Sequence, residues 1–218
     1  MDCIAHRGFA GLYPENTLTA IRQAATTADL IEIDVRRCGS GELVVFHDET
    51  VDRLTDASGR LADLSVSELA GLRVAGSDDG VPTLKEVLDA VPSEVGLDLE
   101  LKETGLLDDV LAHLGDVDND VWLSSFDVDE IATATTETDR PTVLLVDDAA
   151  EAAIERAAGL DCAGIAPHWR LVDFALLERA HRSGLAVYPW TITDTDRAET
   201  LAKMGADGII ADDPAVCR

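Results

Sequence analysis

Short apolar runs recur along the chain, and most are followed by a segment of helical spacing. Eight runs fit β-strands: 2–6 (DCIAH), 30–35 (LIEIDV), 95–102 (VGLDLELK), 120–125 (DVWLSS), 142–146 (TVLLV), 162–167 (CAGIAP), 185–192 (LAVYPWTI) and 207–212 (DGIIAD). Helical patterns occupy 16–27, 83–91, 104–114, 127–137, 147–158, 171–182 and 194–204. Strands alternating with helices of this length form parallel βαβ units. Eight strands in one chain predict an α/β fold of the (β/α)8 barrel type, although 218 residues is short against the usual figure of about 250. An open doubly wound sheet is the alternative, but no Gly-x-Gly-x-x-Gly turn follows the first strand. One run breaks the rhythm: 42–48 (ELVVFHD) comes only six residues after the second strand. That is too short for a parallel crossover. Residues 42–47 are therefore expected to pair antiparallel with the second strand through the Gly39-Ser40-Gly41 turn, bringing His47 beside that strand's end. The stretch 49–82 reads as a small insertion, irregular apart from one short helix at 65–72. No linker divides the sequence, so 1–218 is expected to form a single domain.

Composition narrows the classes. Hydrophobic residues make up 46% and mean hydropathy is +0.06, which excludes a disordered chain. No apolar run approaches the roughly 18 residues of a membrane span. The opening MDCIAHRG lacks a secretory leader, so a cytoplasmic location is expected. Seventeen Lys and Arg against 43 Asp and Glu give a net charge of -26. Nucleic acid and anionic membranes would be repelled. A phosphate-bearing substrate must then be drawn in by a local cation. The acidity is diffuse and only Lys85, Lys102 and Lys203 are lysines, which suggests a halophile stabilised by molar salt. Cysteines at 3, 38, 162 and 217 show no metal-ligand spacing, and the expectation is four reduced thiols.

Candidate chemistry sits at strand ends, where barrel enzymes carry it. His6 ends the first strand; alone, such a histidine is as readily structural. In the second strand, alternation puts Ile31, Ile33 and Val35 on one face and Glu32 with Asp34 on the other. Two carboxylates on one buried face repel and lose hydration, unless cations meet them. The third strand repeats the oddity: Leu97, Leu99 and Leu101 share one face, and Asp98, Glu100 and Lys102 share the inward one. Glu32, Asp34 and Glu100 suggest three ligands of a hard divalent ion, Mg²⁺ or Ca²⁺ with Mn²⁺ admissible, and Lys102 suggests a phosphate contact. An internal ion-pair network remains the alternative. His47 with His6 supplies the two imidazoles that acid–base cleavage of a phosphodiester needs. His113 and His181 fall in helices and are expected on the surface, whereas His168 follows the sixth strand, near the barrel mouth.

The ordered set of motifs resembles the glycerophosphodiester phosphodiesterases. His6-Arg7-Gly8 resembles their HRG opening, Pro14-Glu15-Asn16-Thr17 is similar to PENT, and Glu32-Ile33-Asp34-Val35 resembles E-x-D-V. His47-Asp48, Thr50 and Asp52-Arg53-Leu54-Thr55 resemble the HD-x-T-x-x-R-x-T stretch. Val81-Pro82-Thr83-Leu84, Leu99-Glu100-Leu101-Lys102, Ser125-Phe126, Trp190-Thr191 and Asp207-Gly208-Ile209-Ile210 complete the series across nearly the whole chain. The resemblance implies a metal-dependent barrel that hydrolyses glycerophosphodiesters to glycerol phosphate and an alcohol, through a cyclic phosphate. It implies His6 and His47 as the acid–base pair and Glu32, Asp34 and Glu100 as metal ligands. Arg7 and Lys102 would hold phosphate oxygens, Asn16 would lie beside them, and Trp190 would wall the glycerol side. The implied partner is a small-molecule diester; phospholipase-D-like action on lysolipids, or a silent binding module, are the rival readings. The chain departs from the family at Ala211, where a threonine usually precedes Asp212-Asp213-Pro214. No expected ligand is touched by that change.

Overall fold

The computed structural model describes residues 1–115 and 117–217. Among them, nine strands form one sheet. They are β1 (Asp2–His6), β2 (Leu30–Arg37), β3 (Leu43–Val45), β4 (Gly96–Leu101), β5 (Val121–Ser125), β6 (Thr142–Val146), β7 (Gly164–Pro167), β8 (Ala186–Val187) and β9 (Gly208–Ala211). Eight lie side by side in the order β8-β7-β6-β5-β4-β2-β1-β9, every pair parallel. The seam between β8 and β9 is nearly closed: Asp207 N–H donates to Val187 O at 3.1 Å and Ile192 N–H to Ile210 O at 2.9 Å. The result is the expected barrel. The extra strand β3 pairs antiparallel with β2, Val45 opposite Val35, and leaves His47 at the mouth as anticipated.

The helices are α1 (Leu18–Ala24), α2 (Val66–Ala70), α3 (Leu84–Ala90), α4 (Leu107–His113), α5 (Val128–Glu137), α6 (Ala150–Gly159), α7 (Phe174–Arg182) and α8 (Thr195–Met204). Most start on a capping side chain as the chain leaves the barrel mouth. Thr17, Asp127, Asp173 and Asp194 accept from first-turn N–H groups, and Thr83 forms a capping box with Glu86. Outward strand residues such as Ile31, Ile33, Leu97 and Leu99 pack under these helices with Val87 and Val110. The insertion carries a core of its own, built on Phe46, Val51, Leu61, Leu69 and Val74. Its one α-helix is α2, where a short helix was expected.

Two expectations need correction. The run 185–192 gives only the two-residue strand β8. Pro189 has no N–H to continue a ladder, and beyond it the chain bonds alternately to β7 and β9, with Trp190 N–H on Pro167 O at 3.0 Å. The cysteines are not all reduced: Cys3 and Cys217 form a disulfide across 214 residues of sequence. Barrel closure explains it, because β9 pairs with β1 and the turn Pro214–Cys217 then folds back beside Cys3. Cys38 and Cys162 are buried and free. No described helix is long and apolar enough to cross a membrane.

Candidate active site

Register gathers the charged side chains. His6 lies opposite Glu32 across β1 and β2; Asp34 lies opposite Glu100, and Glu32 opposite Asp98, across β2 and β4. Inward alternation therefore stacks all of them inside the barrel near its mouth. One carboxylate oxygen from each of Glu32, Asp34 and Glu100 lies within 4.8 Å of the others, and all three residues are buried. Lys102 Nζ donates to Glu100 Oε1 at 2.6 Å and stands 3.5 Å from Asp34 Oδ1. Arg7 Nε is 3.1 Å from Asp34 Oδ2, and the Arg7 backbone N–H donates to Glu32 Oε2 at 2.9 Å. Gly8 makes that turn possible: its φ is +77°, and a Cβ there would meet Ala20 of α1 at 2.8 Å.

Protonation follows from crowding. Burial works against ionising Asp34, but Arg7, Lys102 and His47 carry it down to about 2. Burial, then the Asp34 charge, pushes Glu32 well above the usual carboxylate range and Glu100 up to about 7. Asp98, deeper in the barrel, is also raised by burial to about 7. Two cations thus serve four inward carboxylates. Glu32 Oε1 and Asp34 Oδ1 are buried and accept no hydrogen bond. Two unpartnered carboxylate oxygens, with a carboxylate oxygen of Glu100 converging on them, suit a hard divalent cation, so this donor set fits one.

Two histidines flank the cluster. His6 Nδ1 lies 2.6 Å from Asp212 Oδ1, and His47 Nδ1 lies 2.6 Å from Asp48 Oδ1. Arg53 hydrogen bonds hold Asp48 at about 2. A carboxylate only accepts, so each Nδ1 carries a proton and each Nε2 is the nitrogen left to exchange one. Burial lowers His47 below the usual imidazole value, against the pull of Asp34. Both histidines, Arg7, Glu32, Glu100 and Lys102 line one cavity of about 140 Å³. Trp190 and Phe126 form its apolar wall, their rings meeting edge-on at 5.5 Å. Trp190 is pinned by its Nε1–H on Ala166 O at 2.7 Å.

Residues 6–216 match the family model described as the Glycerophosphoryl diester phosphodiesterase family. The chain belongs to this family. It is similar to a glycerophosphodiester phosphodiesterase of Caldanaerobacter subterraneus, 30% identical over 97% of this chain and 93% of the relative. It is similar in structure to an Oleispira antarctica phosphodiesterase solved with the product sn-glycerol-3-phosphate. There the TM-score is 0.93 and identity 29%, over 99% of this chain and 95% of the other. The Thermotoga maritima glycerophosphodiester phosphodiesterase superposes with TM-score 0.86 at 27% identity, over 98% and 96% of the two chains.

Most residues singled out from the family motifs come together. Asn16 joins them from behind: it is buried off the cavity wall, as Asp34 is, and its Nδ2–H donates to Asp34 Oδ2 at 2.7 Å. His168 stands edge-on to Trp190 at 5.0 Å, and His113 and His181 lie exposed on α4 and α7. Sequence reasoning missed Asp212 as the partner of His6. The signal was present: in a closed barrel the last strand abuts the first, so an acidic residue just after β9 falls beside the end of β1. The sequence motif includes Asp48 but does not mark it as the partner of the His47 ring, which it touches.

Proposed function

We propose that the chain hydrolyses glycerophosphodiesters to glycerol phosphate and an alcohol, using His6 and His47 for proton transfer and Glu32, Asp34 and Glu100 to hold a divalent cation. The observation that carries this reading is the convergence, at one cavity, of two carboxylate-oriented imidazoles and three buried carboxylates, two of which have an unpartnered oxygen. The product bound to the similar Oleispira protein supports the substrate class.

The geometry supports a role for each group. Arg7 and Lys102 line the cavity and are suited to bind phosphoryl oxygens. The bound cation would neutralise charge that grows on those oxygens. One histidine Nε2 takes the proton from the neighbouring glycerol hydroxyl as its oxygen attacks phosphorus. The other histidine, protonated, gives its proton to the departing alkoxide, and a cyclic phosphate results. Water then opens the ring with the proton roles reversed. Attack from within the substrate gains from proximity. Trp190 and Phe126 offer an apolar wall to the glycerol carbons and keep water from that side.

The test is product analysis with EDTA-stripped protein and glycerophosphocholine or glycerophosphoethanolamine. Glycerol phosphate should appear only when Mg²⁺, Ca²⁺ or Mn²⁺ is restored. Glycerol phosphate formed equally in EDTA would overturn the cation's role, and phosphocholine plus glycerol would overturn the bond assignment.

A further inference from the structure

We propose that Arg53 and Glu15 are positioning residues, joining the His47–Asp48 pair to Arg7 in one chain of charge-assisted hydrogen bonds. The proposal rests on the reading above, in which His47 moves a proton in the cavity.

Arg53 grips two carboxylates at once. Its Nε donates to Asp48 Oδ2 at 2.6 Å and its NH2 to Asp48 Oδ1 at 3.0 Å. The same guanidinium donates through NH1 to Glu15 Oε2 at 3.1 Å and through NH2 to Glu15 Oε1 at 2.9 Å. Glu15 Oε1 also accepts from Arg7 NH1 at 2.8 Å. Arg7 in turn stands in ion-pair contact with Asp34 at 3.1 Å. The path therefore runs from an imidazole that faces the cavity to a carboxylate of the cation cluster. Neither Arg53 nor Glu15 lines the cavity, so both act through their partners.

The geometry separates this array from an ordinary surface ion pair. Arg53 is 48% exposed, and a single pair at that exposure holds little. Four N–H donations to two carboxylates fix orientation as well as charge, and only a planar guanidinium makes them together. Asp48 Oδ1 is the oxygen that receives His47 Nδ1–H. A carboxylate free to rotate would release that ring; one gripped on both oxygens does not. The array also gives the insertion a purpose. Asp48 and Arg53 sit on either side of Val51, which is fully buried in the insertion's own core. Thr55 N–H on Val51 O at 3.0 Å closes the turn that carries Arg53. Glu15 reaches it from the loop between β1 and α1. Two segments far apart in sequence thus meet at one guanidinium. His6 and Asp212 are oriented without such a clasp, since no Lys or Arg pairs with Asp212 among the described residues.

The discriminating variant is Arg53→Lys, which keeps the charge and removes the fork. Long-range ¹H–¹⁵N spectra of the imidazoles read His47 directly and need no substrate. Wild type should show His47 fixed with its proton on Nδ1, and Arg53→Lys should show exchange between tautomers. On a glycerophosphodiester with cation present, kcat should fall about 10- to 100-fold, with KM changed less than about threefold. Arg53→Lys combined with Asp48→Asn should be no slower than Asp48→Asn alone, because both act through His47. An unchanged tautomer and unchanged kcat overturn the proposal. So does a loss that multiplies with that of Asp48→Asn, or a fall in Tm large enough to show that Arg53 merely holds the fold. Absence of turnover in wild type would instead overturn the functional reading, while the tautomer comparison still decides the role of Arg53.

Discussion

The barrel lining divides into two arcs built on the same period of two. On β1, β2 and β4 the inward positions near the mouth are His6, Glu32, Asp34, Asp98 and Glu100. On β6, β7 and β9 they are Val143, Leu145, Ala166 and Ile210, which pack with Ile4 and Leu30 as an apolar plug. The apolar arc is what packing alone would choose. The charged arc opposes it, since burying carboxylates costs stability unless cations meet them. Arg7 and Lys102 meet part of that need, and the remainder shows as carboxyls held at raised proton affinity. The difference teaches where the proposed chemistry lies: one arc stabilises the barrel, and the other keeps groups whose charge, in the proposed function, serves a cation and a phosphate.

Substitution at matched positions should split the arcs cleanly. The largest effect is expected from Glu100→Gln, which removes one of the proposed cation ligands; kcat should fall by about 10³-fold or more. Its EDTA-stripped form should melt no lower than wild type at pH 8, because Glu100, raised to about 7, is then ionised at a cost. Reducing Cys3–Cys217, outside both arcs, should cost about 3 kcal/mol. For a chain of this size that is a fall in Tm of roughly 6–12 °C, read by calorimetry with and without reductant. Val143→Ala on the apolar arc should cost about 2 kcal/mol of stability and leave kcat/KM close to wild type. Loss of turnover without loss of stability there would break the division.

The smallest effect is a pH dependence confined to the charged arc. Raised carboxyls keep their protons below their folded pKa, so a cation must displace those protons to bind. Glu100 at about 7 sets the window. The stabilisation by Mg²⁺, read as a gain in Tm, should be largest above about pH 8 and shrink as pH falls through 7 towards 5.5, by up to about 1.4 kcal/mol per pH unit for each proton displaced. Scanning fluorimetry in paired EDTA and Mg²⁺ samples measures it; a gain independent of pH would contradict the assignment.

The charged arc was legible in the sequence for a physical reason. Alternation in LIEIDV and LDLELK puts the acids on the face opposite the leucines and isoleucines, and no packing argument puts four acids there. The strand β3 was legible because six residues cannot span a crossover. What stayed hidden depends on closure. Cys3 and Cys217 meet only because β9 returns to β1, and the same return brings Asp212 to His6. Arg53 lies within a motif, yet among 43 acidic residues nothing in the sequence marks Glu15 and Asp48 as its two partners. The shortening of β8 did have a signal in Pro189.

The central claim is that Glu32, Asp34 and Glu100 together hold one divalent cation. Isothermal titration of EDTA-stripped protein with Mn²⁺ at pH 8 tests it most directly, beside the Glu32→Gln and Glu100→Gln variants. The account predicts one site per chain in wild type, with proton uptake by the buffer, and binding lost or weakened at least about tenfold in both variants. No binding by folded wild type, or equal binding by all three proteins, would contradict it.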